Sequence, residues 1–402
     1  MAEKEELRKE FEAAFDRGVE RRGTNCVKWE ADFIKDGVTP MWIADMDFAV
    51  APDIEKNLQR IASQGAFGYQ FLSEQYYDSI ISWMQRRHGY ALTKEEIRYV
   101  PNVVLGLFFA VQTVSEAGDE ILLTTPVYGP FYKAVAENGR KIVETKLINT
   151  DGYYTIDFED MEKQITPKTK ALMFCNPHNP SGRVWTEEEL RKVADICVRH
   201  GLYIISDDIH SELVSKDAKH TFIPLLSEEA RSRSIVLTSP SKAFNLAAIH
   251  VANCFISDPA LREKYWGIAE NSHAAENNAF AEAALCGAYS SESSEVWLDT
   301  LNDYIEGNTE FFVKELREKL PEIGVRKPEG TYLVWADLRK LPIEPAHARD
   351  FVLNDCGIAV NEGTFFGADG NGFVRFNLAC PRSRVEEAVK KLAAGVRKIR
   401  KG

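Results

Sequence analysis

The stretch Thr186-Glu187-Glu188-Glu189-Leu190 through His200-Gly201-Leu202-Tyr203-Ile204-Ile205-Ser206-Asp207 decides the fold. Its first half reads as a helix, Thr186–His200. Thr186 and Glu189 form a capping-box pattern and Gly201 supplies the stop. Its second half, Leu202–Ser206, reads as a strand whose unbroken apolar run suits burial on both faces. Asp207-Asp208-Ile209-His210 then follows at the strand's carboxyl end.

Outward from this unit the alternation repeats. Glu120–Thr124, Lys141–Thr145, Ala171–Phe174, Ser234–Leu237 and Val251–Ile256 read as further strands, with helical segments such as Pro130–Glu137 between them. The pattern predicts an α/β protein with a largely parallel, doubly wound sheet. The last third changes character. Val296–Leu320 reads as a helix, 330–337 and 372–377 as separated strands, and 384–400 as a final helix, which predicts a smaller α+β domain. The expected division is an N-terminal arm (1–48) that completes the small domain, a large domain (49–290) and a C-terminal small domain (291–402). Ser290–Ser294 supplies the hinge-like composition.

Bulk properties narrow the function classes. A chain of 402 residues is long enough for two domains. A net charge of -12 leaves no basic excess to release phosphate counterions, so a nucleic-acid partner is not expected. The basic tail (Arg397, Lys398, Arg400, Lys401) reads as a solvated helix end. The 7 cysteines are scattered with no C-x-x-C pair, which argues against a zinc site or disulfide framework and for a reducing compartment. No stretch of 18 apolar residues or secretory h-region is present, so no membrane association and a cytoplasmic location are expected.

The candidate chemistry lies at strand ends. Lys242, in Ser239-Pro240-Ser241-Lys242, offers an amine with two hydroxyls beside it. Asp207 offers a carboxylate, and Asn179, in Asn179-Pro180-Ser181-Gly182, an amide. Together they suit one flat, ionised heterocycle, and pyridoxal 5′-phosphate matches. Its aldehyde needs a lysine amine, its ring nitrogen a buried carboxylate, and its phosphate needs hydroxyls and N–H groups. On this reading Asp207 pairs with the ring nitrogen, Asn179 donates to the ring oxygen, Tyr128 stacks on the ring and His210 lies near the ring oxygen. Ser239, Ser241 and the backbone amides of Val103 and Val104, just ahead of an apolar helix at 105–113, hold the phosphate. Singly, each motif has an ordinary explanation as a turn or cap. Their order and their placement at successive strand ends carry the argument.

The chain also resembles a known family, the fold-type I pyridoxal-phosphate enzymes of the aminotransferase class I/II superfamily. Within it the chain looks like the MalY/PatB-like cystathionine β-lyase (C–S lyase) group. The resemblance rests on Arg22-Gly23-Thr24, Trp42-Ile43-Ala44-Asp45-Met46-Asp47-Phe48, Phe67-Gly68-Tyr69, Thr125-Pro126-Val127-Tyr128, Ser206-Asp207-Asp208-Ile209-His210, Ser239-Pro240-Ser241-Lys242 and Phe373-Val374-Arg375-Phe376-Asn377. It implies a mostly parallel seven-stranded sheet. It makes Lys242 the Schiff-base lysine and the α-proton carrier, and Arg375 the clamp on the substrate α-carboxylate. The tyrosine matching Tyr69 reaches the neighbouring subunit's phosphate, which implies a homodimer with shared active sites. His250 stands where many aminotransferases have a phosphate-binding arginine.

Asp45 and Asp47 form no convincing metal pair, since no further ligand is near in sequence; a structural or substrate-facing role is expected for Asp45. Ser239-x-x-Lys242 formally matches a serine-nucleophile motif, but the companion Ser-Asp-Asn and Lys-Thr-Gly elements are missing. The expected activity is β-elimination on cystathionine, cysteine or a cysteine S-conjugate, a small amino-acid substrate. The same residues would serve an aminotransferase of apolar or aromatic amino acids. A protein-binding regulatory role is the alternative from another class.

Overall fold

The computed structural model describes residues 2–400. The large sheet takes β1 (Ile97–Val100), β2 (Glu120–Thr125), β3 (Lys141–Lys146), β4 (Thr169–Cys175), β5 (Tyr203–Asp207), β6 (Ser234–Thr238) and β7 (Ala252–Phe255). Its seven strands lie in the order β1-β7-β6-β5-β4-β2-β3. The pairs β2–β3, β2–β4, β4–β5 and β5–β6 are parallel, and β7 runs antiparallel to both β6 and β1. The mostly parallel seven-stranded sheet expected from the sequence is present. Strand β1 is the one the apolar runs did not single out: Ile97-Arg98-Tyr99-Val100 is short and carries a charge, as an edge strand tolerates.

Helices cover both faces. The helices of the fold include α1 (Ala2–Arg17), α2 (Val103–Val114), α3 (Glu187–Arg199), α4 (Glu292–Lys319) and α5 (Arg382–Ile399). Helix α3 starts at the predicted capping box, with Thr186 and Glu189 bonded reciprocally. Adjacent residues of β5 point to opposite faces. Ile204 packs in the cluster that holds Leu190 and Val193 of α3, and Ile205 in the one that holds Leu107 and Val111 of α2. Each such fully buried side chain contributes about 1.5–3 kcal/mol. Burial on both faces explains why these strands read as continuous apolar runs.

The second, four-stranded sheet is antiparallel, in the order β8-β9-β11-β10, from β8 (Gly324–Val325), β9 (Leu333–Asp337), β10 (Asn361–Glu362) and β11 (Phe373–Asn377). Helices α4 and α5 pack against each other, and the buried faces of both join this sheet's core. The N-terminal segment meets it through a parallel bridge, Thr39–Pro40 against Ile358–Ala359. Helix α1 lies along α4, where the Phe15 and Trp297 rings meet edge to face at 5.5 Å. Ser290–Ser294 is a helix junction: Ser291 caps α4 by accepting from the Ser294 N–H.

Candidate functional site

Parallel strands deliver their carboxyl ends to one edge of the sheet, where ligands bind in α/β folds. Here β2 ends at Thr125 and leads to Tyr128, while β4 ends at Cys175 and leads to Asn179. Strand β5 ends in Asp207 itself, and β6 ends at Thr238 and leads to Lys242. All four residues line one cavity of about 180 Å³, together with His210, Ser241, Val103 and Val104.

Asp207 is 4% exposed, and among the described residues its carboxylate accepts one hydrogen bond, from the Ile209 N–H at 3.1 Å. Burial pushes its pKa up to about 7; Asp208 adds to the rise, while the Ile209 bond and Lys242 oppose it. A carboxyl so poorly satisfied is stabilised by any cation that enters the cavity. The Lys242 Nζ donates to the Ala44 carbonyl at 2.6 Å. Burial brings this amine down to about 8, with Arg375 adding to the fall and Asp45 and Asp207 pulling the other way. A usable share is therefore neutral and nucleophilic near neutral pH.

Arg375 lies on β11 and is 2% exposed. Its Nη1 donates to Asn179 Oδ1 at 3.0 Å and its Nη2 to the Trp42 carbonyl at 3.1 Å. With the Asn361 amide turned so that both its atoms are satisfied, the Asn361 oxygen accepts from Nη2 at 3.1 Å. The Phe366 ring lies 4.9 Å beneath the guanidinium, whose Nε has no partner among the described residues. Burial lowers Arg375 to about 10, so it stays charged at neutral pH. His210 has a buried Nδ1 without a partner, and burial, with Lys242 and Arg375 adding to it, keeps its ring neutral. Tyr128 packs edge-on against Phe365 at 5.9 Å.

Val103 and Val104 are the first two residues of α2 rather than residues ahead of it. The N-cap Asn102 side chain accepts from the Leu105 N–H at 2.8 Å, so the first-turn N–H groups of Val103 and Val104 are left for a ligand. Ser241 lines the cavity, but Ser239 does not. The Ser239 Oγ accepts the Ser241 N–H at 2.9 Å and sits 2.5 Å from the Val251 carbonyl, so it shapes the turn that carries Lys242. Tyr69 lies away from this chain's cavity and is fully exposed. Asp45 pairs with Arg21 at 2.9 Å and Lys28 at 3.5 Å. Asp47 is buried against Lys28, Trp29 and Arg384, so the two carboxylates are committed to cationic partners.

Sequence reasoning missed Phe366, Asn361 and the Ala44 carbonyl. The first two come from the turn and strand before β11, whose approach to Arg375 is set by sheet pairing across Asn361 and Arg375. His250, which stands in place of an arginine, lines the cavity in a left-handed backbone conformation, φ 58°.

The residues present fit pyridoxal 5′-phosphate. An under-satisfied buried carboxyl suits its ring nitrogen, and the Asn179 amide, its oxygen taken by Arg375, leaves N–H groups for the ring oxygen. A helix start and Ser241 suit its phosphate, and a depressed lysine suits its aldehyde.

The profile of the family Aminotransferase class I and II matches residues 39–392. Cystathionine β-lyase PatB of Bacillus subtilis (strain 168) is 37% identical over 386 residues, 95% of this chain and 99% of that protein. A PLP-bound putative aminotransferase from Clostridium difficile 630 superposes with a TM-score of 0.92 at 35% identity, covering 95% of this chain and 99% of the other. Cystalysin from Treponema denticola, which contains pyridoxal 5′-phosphate, also gives 0.92, at 32% identity and with 96% and 98% covered.

Proposed function

The chain belongs to the aminotransferase class I and II family, and we propose that it is a pyridoxal 5′-phosphate-dependent carbon–sulfur β-lyase. It acts on a small amino acid with a thioether or thiol at the β-carbon, such as cystathionine, cysteine or a cysteine S-conjugate. With water, the products are the thiol, pyruvate and ammonia. The observation that carries this reading is the meeting, in one cavity, of the Lys242 amine lowered to about 8 with the buried Asp207 carboxyl. The likeness to the cystathionine β-lyase PatB over nearly the whole chain supports lyase chemistry in particular.

Bound pyridoxal 5′-phosphate supplies an electron sink for the charge left when the substrate α-proton departs. This chain's residues do the rest. Lys242 anchors the cofactor, takes the α-proton from the substrate and carries it back. Asp207 keeps the ring nitrogen protonated, the Asn179 amide donates to the ring oxygen with His210 nearby, and Tyr128 stacks on the ring. Ser241 and the N–H groups of Val103 and Val104 hold the phosphate, with Ser239 supporting the turn that carries Ser241. Arg375 grips the α-carboxylate through its planar fork, while Asp45 acts through its ion pairs beside the site.

The protein works as a homodimer with shared sites. In support, Phe67, Tyr69 and Phe71 are exposed in one stretch of this chain, and Tyr69 is free to reach a partner's phosphate. Residues 49–290 form the cofactor domain, and the arm 1–48 joins 291–402 in the smaller one. The net charge of -12 supports the absence of a nucleic-acid partner. Among the described residues no helix is long and apolar enough to cross a membrane.

The test is pyruvate release from cystathionine or a cysteine S-conjugate by the purified holoenzyme without added keto acid. Catalytic release is expected; turnover only with an amino acceptor would replace the lyase by an aminotransferase.

A further inference from the structure

The segment Trp42–Phe48 has no helix or ladder to pair its backbone, yet every one of its carbonyls accepts a hydrogen bond. Two asparagines do much of this. Asn377 Nδ2 donates to the Ile43 carbonyl at 2.7 Å and the Asp45 carbonyl at 2.6 Å, gripping the strap on both sides of Ala44. Asn245 Nδ2 donates to the Met46 carbonyl at 3.0 Å and the Phe48 carbonyl at 2.9 Å, and its Oδ1 accepts the Met46 N–H at 3.0 Å.

Their placement ties the strap to the reacting groups. Asn377 follows Arg375 by two residues on β11 and so shares its face. Asn245 follows Lys242 in the same turn, with φ 58°. Lys242 itself donates to the Ala44 carbonyl at 2.6 Å, Tyr332 donates to the same oxygen at 3.1 Å, and Arg375 donates to the Trp42 carbonyl at 3.1 Å. The amine and the guanidinium therefore reach one strap, and an asparagine beside each fastens it.

We infer that Asn245 and Asn377 are positioning residues, which fix the strap Trp42–Phe48 so that the Ala44 carbonyl holds the Lys242 amine in reach of the substrate α-carbon. The turnover part of this inference rests on the lyase reading; the geometric part does not. A carbonyl 2.6 Å from the amine favours its ammonium form, so a displaced strap lowers the amine's affinity for protons. The other groups that face Lys242 are Asp207 and Asp45, which favour the ammonium, and Arg375 and the His210 ring, which do not gain from it. Neither asparagine substitution removes any of these.

The experiment measures the pH dependence of Lys242 acetylation by acetic anhydride in the cofactor-free protein, read by peptide mass spectrometry, together with kcat of the holoenzyme. Asn377→Ala and Asn245→Gly are compared with wild type; glycine keeps the left-handed backbone at 245 without strain. The expected result is an apparent Lys242 pKa lower by about half a unit or more and a kcat reduced roughly tenfold. An apparent pKa that is unchanged or raised, as water entering a loosened pocket would give, overturns the inference, and so does a wild-type kcat. Asn377 is 1% exposed, so where Asn377→Ala does not fold, Asn245→Gly decides. If wild type releases no pyruvate the lyase reading falls, and the labelling alone then judges the strap.

Discussion

Arg375 Nη1 donates to Asn179 Oδ1 at 3.0 Å, and this one bond joins β11 of the four-stranded sheet to the loop that follows β4 of the large sheet. It also fixes which way the amide points: the oxygen faces the guanidinium, so the nitrogen faces elsewhere. Asn179→Asp would place an anion on Arg375, where the proposed substrate carboxylate must bind. A charge-assisted bond is worth about 1.5–3 kcal/mol, so KM for the amino acid should rise roughly tenfold or more. Steady-state pyruvate release checks this, and an unchanged KM would remove Arg375 from the carboxylate-clamp role.

Asp207 makes a prediction about stability that needs no catalysis. Its pKa is near 7 in the folded, cofactor-free chain against 3.8 for an ordinary aspartate. Between those values the folded state holds a proton that the unfolded state has released, so this group's contribution to stability falls as pH rises from about 4 to about 7. Asn cannot ionise and avoids that loss. The stability of Asp207→Asn relative to wild type should therefore increase across this window, by roughly 4 kcal/mol at most. Thermal melts of both cofactor-free proteins at pH 4.5 and 7.5 measure the difference. A pH-independent difference would mean that Asp207 is not held protonated by its burial.

Lys242→Ala should abolish pyruvate release and, after borohydride reduction, the cofactor mass that wild type carries on the peptide containing Lys242. Some cofactor should still bind, because Asp207, Asn179, Ser241 and the first turn of α2 line the cavity independently of the amine. Dialysis and visible absorption read the residual binding. A covalent mass that persists at another lysine would reassign the anchor.

What the sequence disclosed followed from local chemistry. The β5 strand and the helix before it were legible because capping and burial on both faces leave a pattern within twenty-odd residues. Asp207, Asn179, Tyr128 and Lys242 were legible because strand ends in this topology are where ligands sit. The strap was not, since Trp42-Ile43-Ala44 owes its shape to Asn377 and Lys242, which lie far away in the chain and act on backbone oxygens that no motif encodes. The place of Ser239 is hidden from the sequence for a similar reason. Its hydroxyl had a nearer acceptor, the Val251 carbonyl on the way into β7, which sequence spacing does not reveal.

Tyr69 separates a monomeric site from a shared one. Its side chain is 102% exposed, with Phe71 at 95% and Phe67 at 61%, and it touches nothing in its own cavity. In a monomer, Tyr69→Phe would be a surface change within about 0.5 kcal/mol of neutral, and cofactor affinity would not move. In the proposed dimer the lost hydroxyl is one that reaches a partner's phosphate dianion. A hydrogen bond to a charged group is worth about 1.5–3 kcal/mol, which is about a ten- to hundredfold weaker Kd for pyridoxal 5′-phosphate. Equilibrium dialysis gives the Kd and light scattering the mass. A dimer whose Kd is unchanged in Tyr69→Phe would keep the assembly but deny the shared site, whereas a monomeric mass with full activity would deny both.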